Sequence, residues 1–316
     1  MNRPFFFFQS VIFVVDMNRR ESIQLLAAFG LLPLAETWAQ TQPKLIRRSI
    51  GGKNETLPVV GLGTWETFDV TQSQHALLAD LKEVLRVFSE QGGTVVDSSP
   101  MYGYAEQNVG TISTELKTNS KLFIATKVWT QGKEKGVEQM TRSMQLLKRK
   151  QIDLMQVHNL VDWQIHLKTL REWKEAGKIR YVGITHYLEA AYPEMEKIMK
   201  SEPLDFIQIN YNLADRQAER VLALAQEKKI GVLINQPFGY GKLFQQVKDR
   251  KVPAWAAEIG CATWAQFFLK FIISNPAVTC VIPGTANPKH LVDNLGAAVG
   301  ALPDQKQREK MIAELN

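Results

Sequence analysis

Asp97, Tyr102, Lys127 and His158 are the residues of this chain whose types and spacing suit one piece of chemistry. Asp97, Lys127 and His158 each end an apolar run (TVVD, FIATK and LMQVH), and they stand 30 and 31 residues apart in turn. Tyr102 follows Asp97 in the short loop SSPMYG. A tyrosine hydroxyl has an ordinary pKa of about 10, too high for ready proton exchange near neutrality. A cation against its oxygen lowers that value, and a carboxylate behind the cation fixes the cation in place. Tyr102 is therefore a candidate general acid, with Lys127 to tune it and Asp97 to anchor Lys127. His158 is a candidate hydrogen-bonding group for a substrate oxygen. Such a set donates a proton to an oxygen that is becoming negative. Taken singly, each residue has a structural reading: a capping Asp, a loop Tyr, a Lys–Asp salt bridge, a packed His ring. The convergence of all four at one face is what favours catalysis.

Residues this far apart meet only if each sits at the same end of a repeated unit. The chain supplies eight apolar runs, at 59–63, 94–96, 122–128, 152–158, 179–185, 206–210, 231–234 and 278–282. Helical stretches at 75–90, 137–148, 165–175, 217–228 and 254–273 lie between them. Leu78, Leu81 and Leu85 show the three- and four-residue spacing of a buried helix face. Runs that are apolar throughout mark strands covered on both faces, and so a parallel sheet. No glycine-rich dinucleotide fingerprint follows the first strand, which favours a closed (β/α)8 TIM barrel over a doubly wound sheet. In a barrel the strand C-termini share one face, and that face carries the chemistry. Runs at 45–49 and 55–60, around Gly51-Gly52-Lys53-Asn54, predict an N-terminal β-hairpin.

The 316 residues, 45% hydrophobic and 22% charged, are ordinary for a globular protein and allow a large core. The net charge of +6 comes from scattered Lys and Arg mixed with acids, so no nucleic-acid stripe is expected. Met17-Asn18-Arg19-Arg20-Glu21, an apolar run at 23–35 and Thr37-Trp38-Ala39 have the order of a charged region, a hydrophobic region and a cleavage site. The paired arginines resemble a twin-arginine export signal. Residues 1–39 are therefore read as a targeting segment, with the true start at Met17 and an uncleaved anchor as the alternative. Residues 40–316 are read as one barrel, exported to the periplasm, with the cytoplasm as the alternative. The membrane is then met only in transit, and a monomer is expected. Two cysteines, Cys261 and Cys280, imply no disulfide framework; both are expected to be buried thiols, Cys261 in a helix. No metal is expected.

In order and spacing, Asp97, Tyr102, Lys127 and His158 resemble the catalytic tetrad of the aldo-keto reductases, and the similarity runs from about 45 to 302. Gly61-Leu62-Gly63-Thr64-Trp65, Trp129, Gln208 in IQINYN, and Ile282-Pro283-Gly284-Thr285 with Asn294 fit the same family. The resemblance implies reduction of an aldehyde or ketone by hydride transfer from NADPH lying across the barrel's C-terminal face. It implies a substrate pocket lined by Trp65, Trp129 and His158. It implies a cofactor site drawn from Thr64, Trp65, Asp97, Thr185, His186, Gln208, Gln236, Pro237, Phe238, Pro283, Gly284, Thr285, His290 and Asn294. Residues 281–294 are expected to hold the adenosine end, with a helix N-terminus on phosphate.

The chain departs from the family pattern in several places. Thr185-His186 stands where Ser-Asn is common for gripping the carboxamide, and Asn235 stands where many members stack a Tyr on the nicotinamide. Gly284 and His290 replace the Lys and Arg that a subgroup places on the 2′-phosphate, which leaves NADH open as a cofactor. The chain ends soon after the last barrel helix in a charged segment, 304–316, so no long closing loop is expected over the pocket. Two alternatives stand beside the reductase: a Schiff-base lyase using Lys127, and a non-catalytic nicotinamide-binding or partner subunit.

Overall fold

The computed structural model describes residues 44–315; the targeting segment read at 1–39, with its paired arginines, lies outside the described residues. An antiparallel hairpin, β1 (Arg47–Ser49) and β2 (Thr56–Pro58), turns through Gly51 and Gly52, both at positive φ. Eight parallel strands follow in sequence order: β3 (Leu62–Gly63), β4 (Val95–Asp97), β5 (Phe123–Val128), β6 (Ile152–His158), β7 (Ile179–Thr185), β8 (Phe206–Asn210), β9 (Gly231–Asn235) and β10 (Cys280–Val281). Parallel bridges Val60–Val281 and Gly63–Gly284 join the last strand to the first and close the ring. Between the strands lie α1 (His75–Glu90), α2 (Ala105–Glu115), α3 (Lys133–Leu146), α4 (Trp163–Glu175), α5 (Tyr192–Ser201), α6 (Glu219–Glu227), α7 (Lys242–Gln246) and α8 (Trp264–Ile273). Two more helices, α9 (Pro288–Gly296) and α10 (Gln305–Ala313), follow β10. This is the expected (β/α)8 barrel with its hairpin.

The strands read as uniformly apolar because one set of side chains faces the helices and the other fills the barrel. Side chains alternate along a strand. Val96, Ile124, Met155, Val157, Ile184 and Ile207 join the large core between strands and helices. Val95, Phe123, Ala125, Leu154, Tyr181 and Phe206 form the separate cluster inside the ring, closed below by Ile50 and Leu57 of the hairpin region. Continuing each interior file upward by two residues reaches Asp97, Lys127, Gln156, Gln208 and, two further, His158 and Asn210, all buried. The same alternation that builds the core therefore aims the polar groups at one mouth. Gly183 belongs to this file too: a Cβ there would lie 2.9 Å from Phe206 O and 3.1 Å from Gln156 Cγ, so glycine is what leaves room for Gln156.

Several expectations are corrected. The single helix at 254–273 is two elements: a 3-10 segment, Ala254–Ile259, ends at Gly260 with φ 66°, and Thr263 then caps α8 by accepting from Gln266 N. Cys261 consequently sits in the connecting loop, although both cysteines are buried and free as expected. The first and eighth strands are shorter than their apolar runs. Pro283 has no N–H with which to prolong β10. Within the charged segment at 304–316, Gln305–Ala313 form the helix α10, begun by a capping box between Asp304 and Gln307. Arg308 straps α10 to Phe271 O and Tyr211 Oη, and Glu314 accepts from Trp255 Nε1. Those contacts hold α10 to the flank of α8.

Candidate active site

Register brings the candidate residues together. Asp97 pairs with Ala125, Lys127 with Gln156, His158 with Thr185, and Thr185 with Gln208. The strand ends β4 to β8 thus place their top interior side chains side by side. Lys127 Nζ donates to Asp97 Oδ2 at 2.8 Å and to Ser98 O at 2.7 Å, and lies 5.0 Å from the centre of the Tyr102 ring. Gln208 Nε2 donates to the same Asp97 oxygen at 3.3 Å, and Gln156 Nε2 donates to Gln208 Oε1 at 2.8 Å. Thr64 N and Oγ1 both reach Asp97 O, at 3.1 and 2.9 Å. Tyr102 meets His158 edge to face, ring centres 6.1 Å apart, and His158 also faces Trp129 at 6.4 Å.

The loop that carries Tyr102 is fixed from outside. Gly103 turns it with φ 56°, and a Cβ there would fall 2.0 Å from Asp69 Oδ1. That oxygen accepts from Tyr104 N at 2.9 Å, supplying from another loop the cap that α2 lacks from its own N-cap residue. Asn108 Nδ2 then bonds Phe68 O and Val70 O, tying the first loop to α2. The Trp129 loop is held in the same manner. Gln139 accepts from Trp129 N at 2.6 Å and donates to Trp129 O at 3.2 Å, His166 Nε2 meets Thr130 O at 2.7 Å, and Asp162 accepts from Gly132 N.

Burial dominates the electrostatics. It raises Asp97 above the ordinary carboxyl range despite the Lys127 ammonium beside it. Burial also draws Lys127 down, but the Asp97 carboxylate and then Tyr102 outweigh it, and the ammonium is held above the ordinary lysine value. Burial pushes the Tyr102 phenol up, and Lys127 draws it only part of the way back. The expectation that Lys127 brings Tyr102 below its ordinary value is corrected accordingly: removal of water outweighs one cation that already serves Asp97. His158 is pushed down to about 3 by burial, then by Lys127 and His186, so its ring is neutral near pH 7.

The remaining expected residues are spread along the face. Thr185 is buried beside His158, and His186 is half-buried and stacked on Tyr187 with ring centres 5.7 Å apart. Gln208 uses its amide on Asp97 and Gln156 in this structure. Gln236, at φ 51°, donates from Nε2 to Tyr240 Oη. Pro237 is buried, and Phe238 packs on Phe244 at 4.8 Å, toward the helices. Gly284 lies exposed beside Gly63, Pro283 and Thr285 are buried, and His290 is exposed in the first turn of α9, whose buried face carries Asn294. Trp65 is exposed and meets Tyr240 edge-on at 5.4 Å.

Four residues escaped the sequence reading. Ser99 Oγ lies 3.2 Å from His158 Nδ1, Gln156 extends the Asp97 network, Asn210 tops β8, and Tyr240 reaches Trp65. An aromatic between two glycines, as in Gly239-Tyr240-Gly241, was the available signal for the last. For Gln156 and Asn210 the signal was their two-residue offset from His158 and Gln208. Asn210 Oδ1 and Asn235 Oδ1, on residues paired across β8 and β9, are buried without a donor. A primary carboxamide offers two N–H groups, so these orphaned acceptors fit the nicotinamide end of the implied cofactor.

The comparisons with known proteins point to one family. Aldo-keto reductase YhdN of Bacillus subtilis is 30% identical over 204 residues, a match spanning 58% of this chain and 58% of that one. An aldo-keto reductase of Schizosaccharomyces pombe, yakc, whose name carries NADP(+), is 26% identical and is covered over 89% of its length by 83% of this chain. A crystal structure of an aldo-keto reductase from Klebsiella pneumoniae in complex with NADPH superposes with a TM-score of 0.70 at 24% identity, over 86% of this chain and 95% of that one. With residues 59–312 also matching the Aldo/keto reductase family as a whole, the chain belongs to that family.

Proposed function

We propose that the protein reduces an aldehyde or ketone to the alcohol, using NADPH as hydride donor and Tyr102 as the proton donor. Membership of the family makes it an NAD(P)H-dependent oxidoreductase. The observation that carries the finer reading is the buried Lys127–Asp97 pair at 2.8 Å beneath the Tyr102 ring. The NADPH carried by the Klebsiella neighbour supports the choice of cofactor. Thr185, His186, Asn210 and Asn235 would hold the nicotinamide end, with Gly284, Thr285 and α9 at the other.

When bound, the reduced nicotinamide supplies the hydride that reaches the carbonyl carbon. The chain's own part is to manage charge on the oxygen. Tyr102 Oη gives its proton to that oxygen, and Lys127 stabilises the phenolate left behind. Asp97 and Ser98 O keep the ammonium in position. With Ser99 donating to Nδ1, the neutral His158 carries its proton on Nε2 and donates from there to the carbonyl oxygen. A Schiff-base role for Lys127 is disfavoured by the same geometry, because an amine nucleophile must be unprotonated and this one is held protonated by Asp97. NADPH oxidation with a carbonyl panel, compared with NADH and with Tyr102→Phe, tests the reading.

Gln139 should act through Trp129 alone. Gln139→Leu is expected to raise KM for the carbonyl about fivefold, equivalent to about 1 kcal/mol of net hydrogen bonding, with kcat and NADPH affinity unchanged. Steady-state kinetics with varied carbonyl and varied cofactor separates these effects.

We also propose export of the folded protein, on the order of features at 17–39 in the sequence. Arg19→Lys with Arg20→Lys is expected to strand active enzyme in the cytoplasm, and exported material is expected to begin near Gln40. Cell fractionation decides: arrival of the double variant in the periplasm would refute the export reading.

A further inference from the structure

Among the described residues, seven of the eleven large hydrophobic side chains that remain exposed sit on loops leaving the C-terminal ends of barrel strands. Trp65, Met101, Trp129, Tyr187 and Tyr240 are among them, each between 41 and 56% exposed. An apolar rim concentrated at one mouth of a barrel is a surface for a ligand to cover. The charges of the loops after the first five of these strands are one-sided. The loops after the first five barrel strands, at 64–74, 98–104, 129–132, 159–162 and 186–191, contain Glu66, Asp69, Asp162 and Glu189 and no Lys or Arg. Lys133, the residue that follows the third of these loops, is paired with Glu172 at 2.9 Å. Inside the mouth, Lys127 is committed to Asp97 and Ser98 O, and His158 is neutral. Among the described residues, these five loops offer an anionic substrate no lysine or arginine, and their formal charge is negative.

We infer that the site selects carbonyl compounds whose remaining body is apolar, flat and uncharged, and rejects those that carry a carboxylate or phosphate away from the carbonyl. This rests on the reductase reading above. The body of the substrate lies against the exposed aromatic rings, while its carbonyl reaches Tyr102 and His158. A carboxylate on that body gives up its hydration beside loops that carry acids and no Lys or Arg to pair with it.

The test uses the purified protein saturated with NADPH and compares 4-methylbenzaldehyde with 4-carboxybenzaldehyde at low and high salt. The expected result is a kcat/KM for the carboxylate at least about tenfold lower, a gap that narrows as salt screens the acids. Glu66→Lys is expected to narrow it further at low salt. Equal or better turnover of the carboxylate overturns the inference. Should neither aldehyde be reduced, the reductase reading falls, and tryptophan quenching of the NADPH-loaded protein decides the charge preference alone. There, 4-methylbenzyl alcohol is expected to bind at least about tenfold more tightly than 4-(hydroxymethyl)benzoate, by the same repulsion; equal affinity overturns the inference.

Discussion

Tyr102→Phe is expected to lower kcat for carbonyl reduction by about 10²- to 10⁴-fold, the range for a lost general acid, while NADPH affinity and thermal stability stay near wild type. The selectivity of that loss follows from the contacts. Phenylalanine keeps the ring that meets His158 edge-on and lies 5.0 Å from Lys127 Nζ, and it removes only the hydroxyl. The hydrogen bonds that Lys127 Nζ donates to Asp97 Oδ2 and Ser98 O are undisturbed, so Lys127 stays where it is. Burial holds the wild-type phenol above its ordinary pKa, so the acid remains protonated across the neutral range and reduction should show no alkaline limb below about pH 10. His158, pushed down to about 3, should contribute no acid limb above pH 4 to 5. Pre-steady-state and steady-state rates of NADPH oxidation from pH 5 to 10 check both statements. Turnover within threefold of wild type in the Phe variant would remove Tyr102 from the mechanism.

Lys127→Met should be nearly as costly to activity, and costly to stability as well. The substitution leaves the Asp97 carboxylate buried with Gln208 alone on Oδ2 and nothing on Oδ1. Removing one partner of a buried ion pair typically costs about 3 to 5 kcal/mol. The sign of the pH effect follows from which state is lost. Lys127 pulls the Tyr102 pKa down and Asp97 pushes it up, so losing the cation leaves the push unopposed and moves the value further up. Any residual reduction should therefore keep its rate to higher pH than wild type. The double variant Asp97→Asn with Lys127→Met separates the two consequences. It removes both charges, so stability should return to within about 1 kcal/mol of wild type, since an ion pair replaced whole is often near neutral, while activity stays lost. Denaturation by urea alongside turnover measures the two together. A double variant as unstable as the single one would show that Lys127 serves packing more than charge.

Much of the architecture was legible because it depends on local order. Apolar runs one βα unit apart announce parallel strands covered on both faces, and β6 and β7 begin and end where the runs do, since their flanks (Gln151, Asn159, Lys178 and His186) are polar. The helix at 254–273 was misread because its apolar pattern continues across Gly260. Only the left-handed backbone there and the Thr263 cap reveal the break. Asp97, Tyr102, Lys127 and His158 could be named from the sequence because each ends an apolar run or follows one closely. A strand end is a local event, and the barrel puts all such ends on one face.

What the sequence could not decide is which of those groups touch, and how strongly water is excluded around them. Gln156 and Asn210 read as polar residues in or at the end of strands; the two-residue alternation of a closed ring puts one into the Asp97 network and the other beside Asn235. Ser99 and Tyr240 find His158 and Trp65 only because loops from different strands meet above the mouth. The Tyr102 pKa was expected to fall beside a lysine and instead rises. A cation can be recognised from its place in the chain, but desolvation depends on everything packed around a side chain, and that exists only once the barrel has closed.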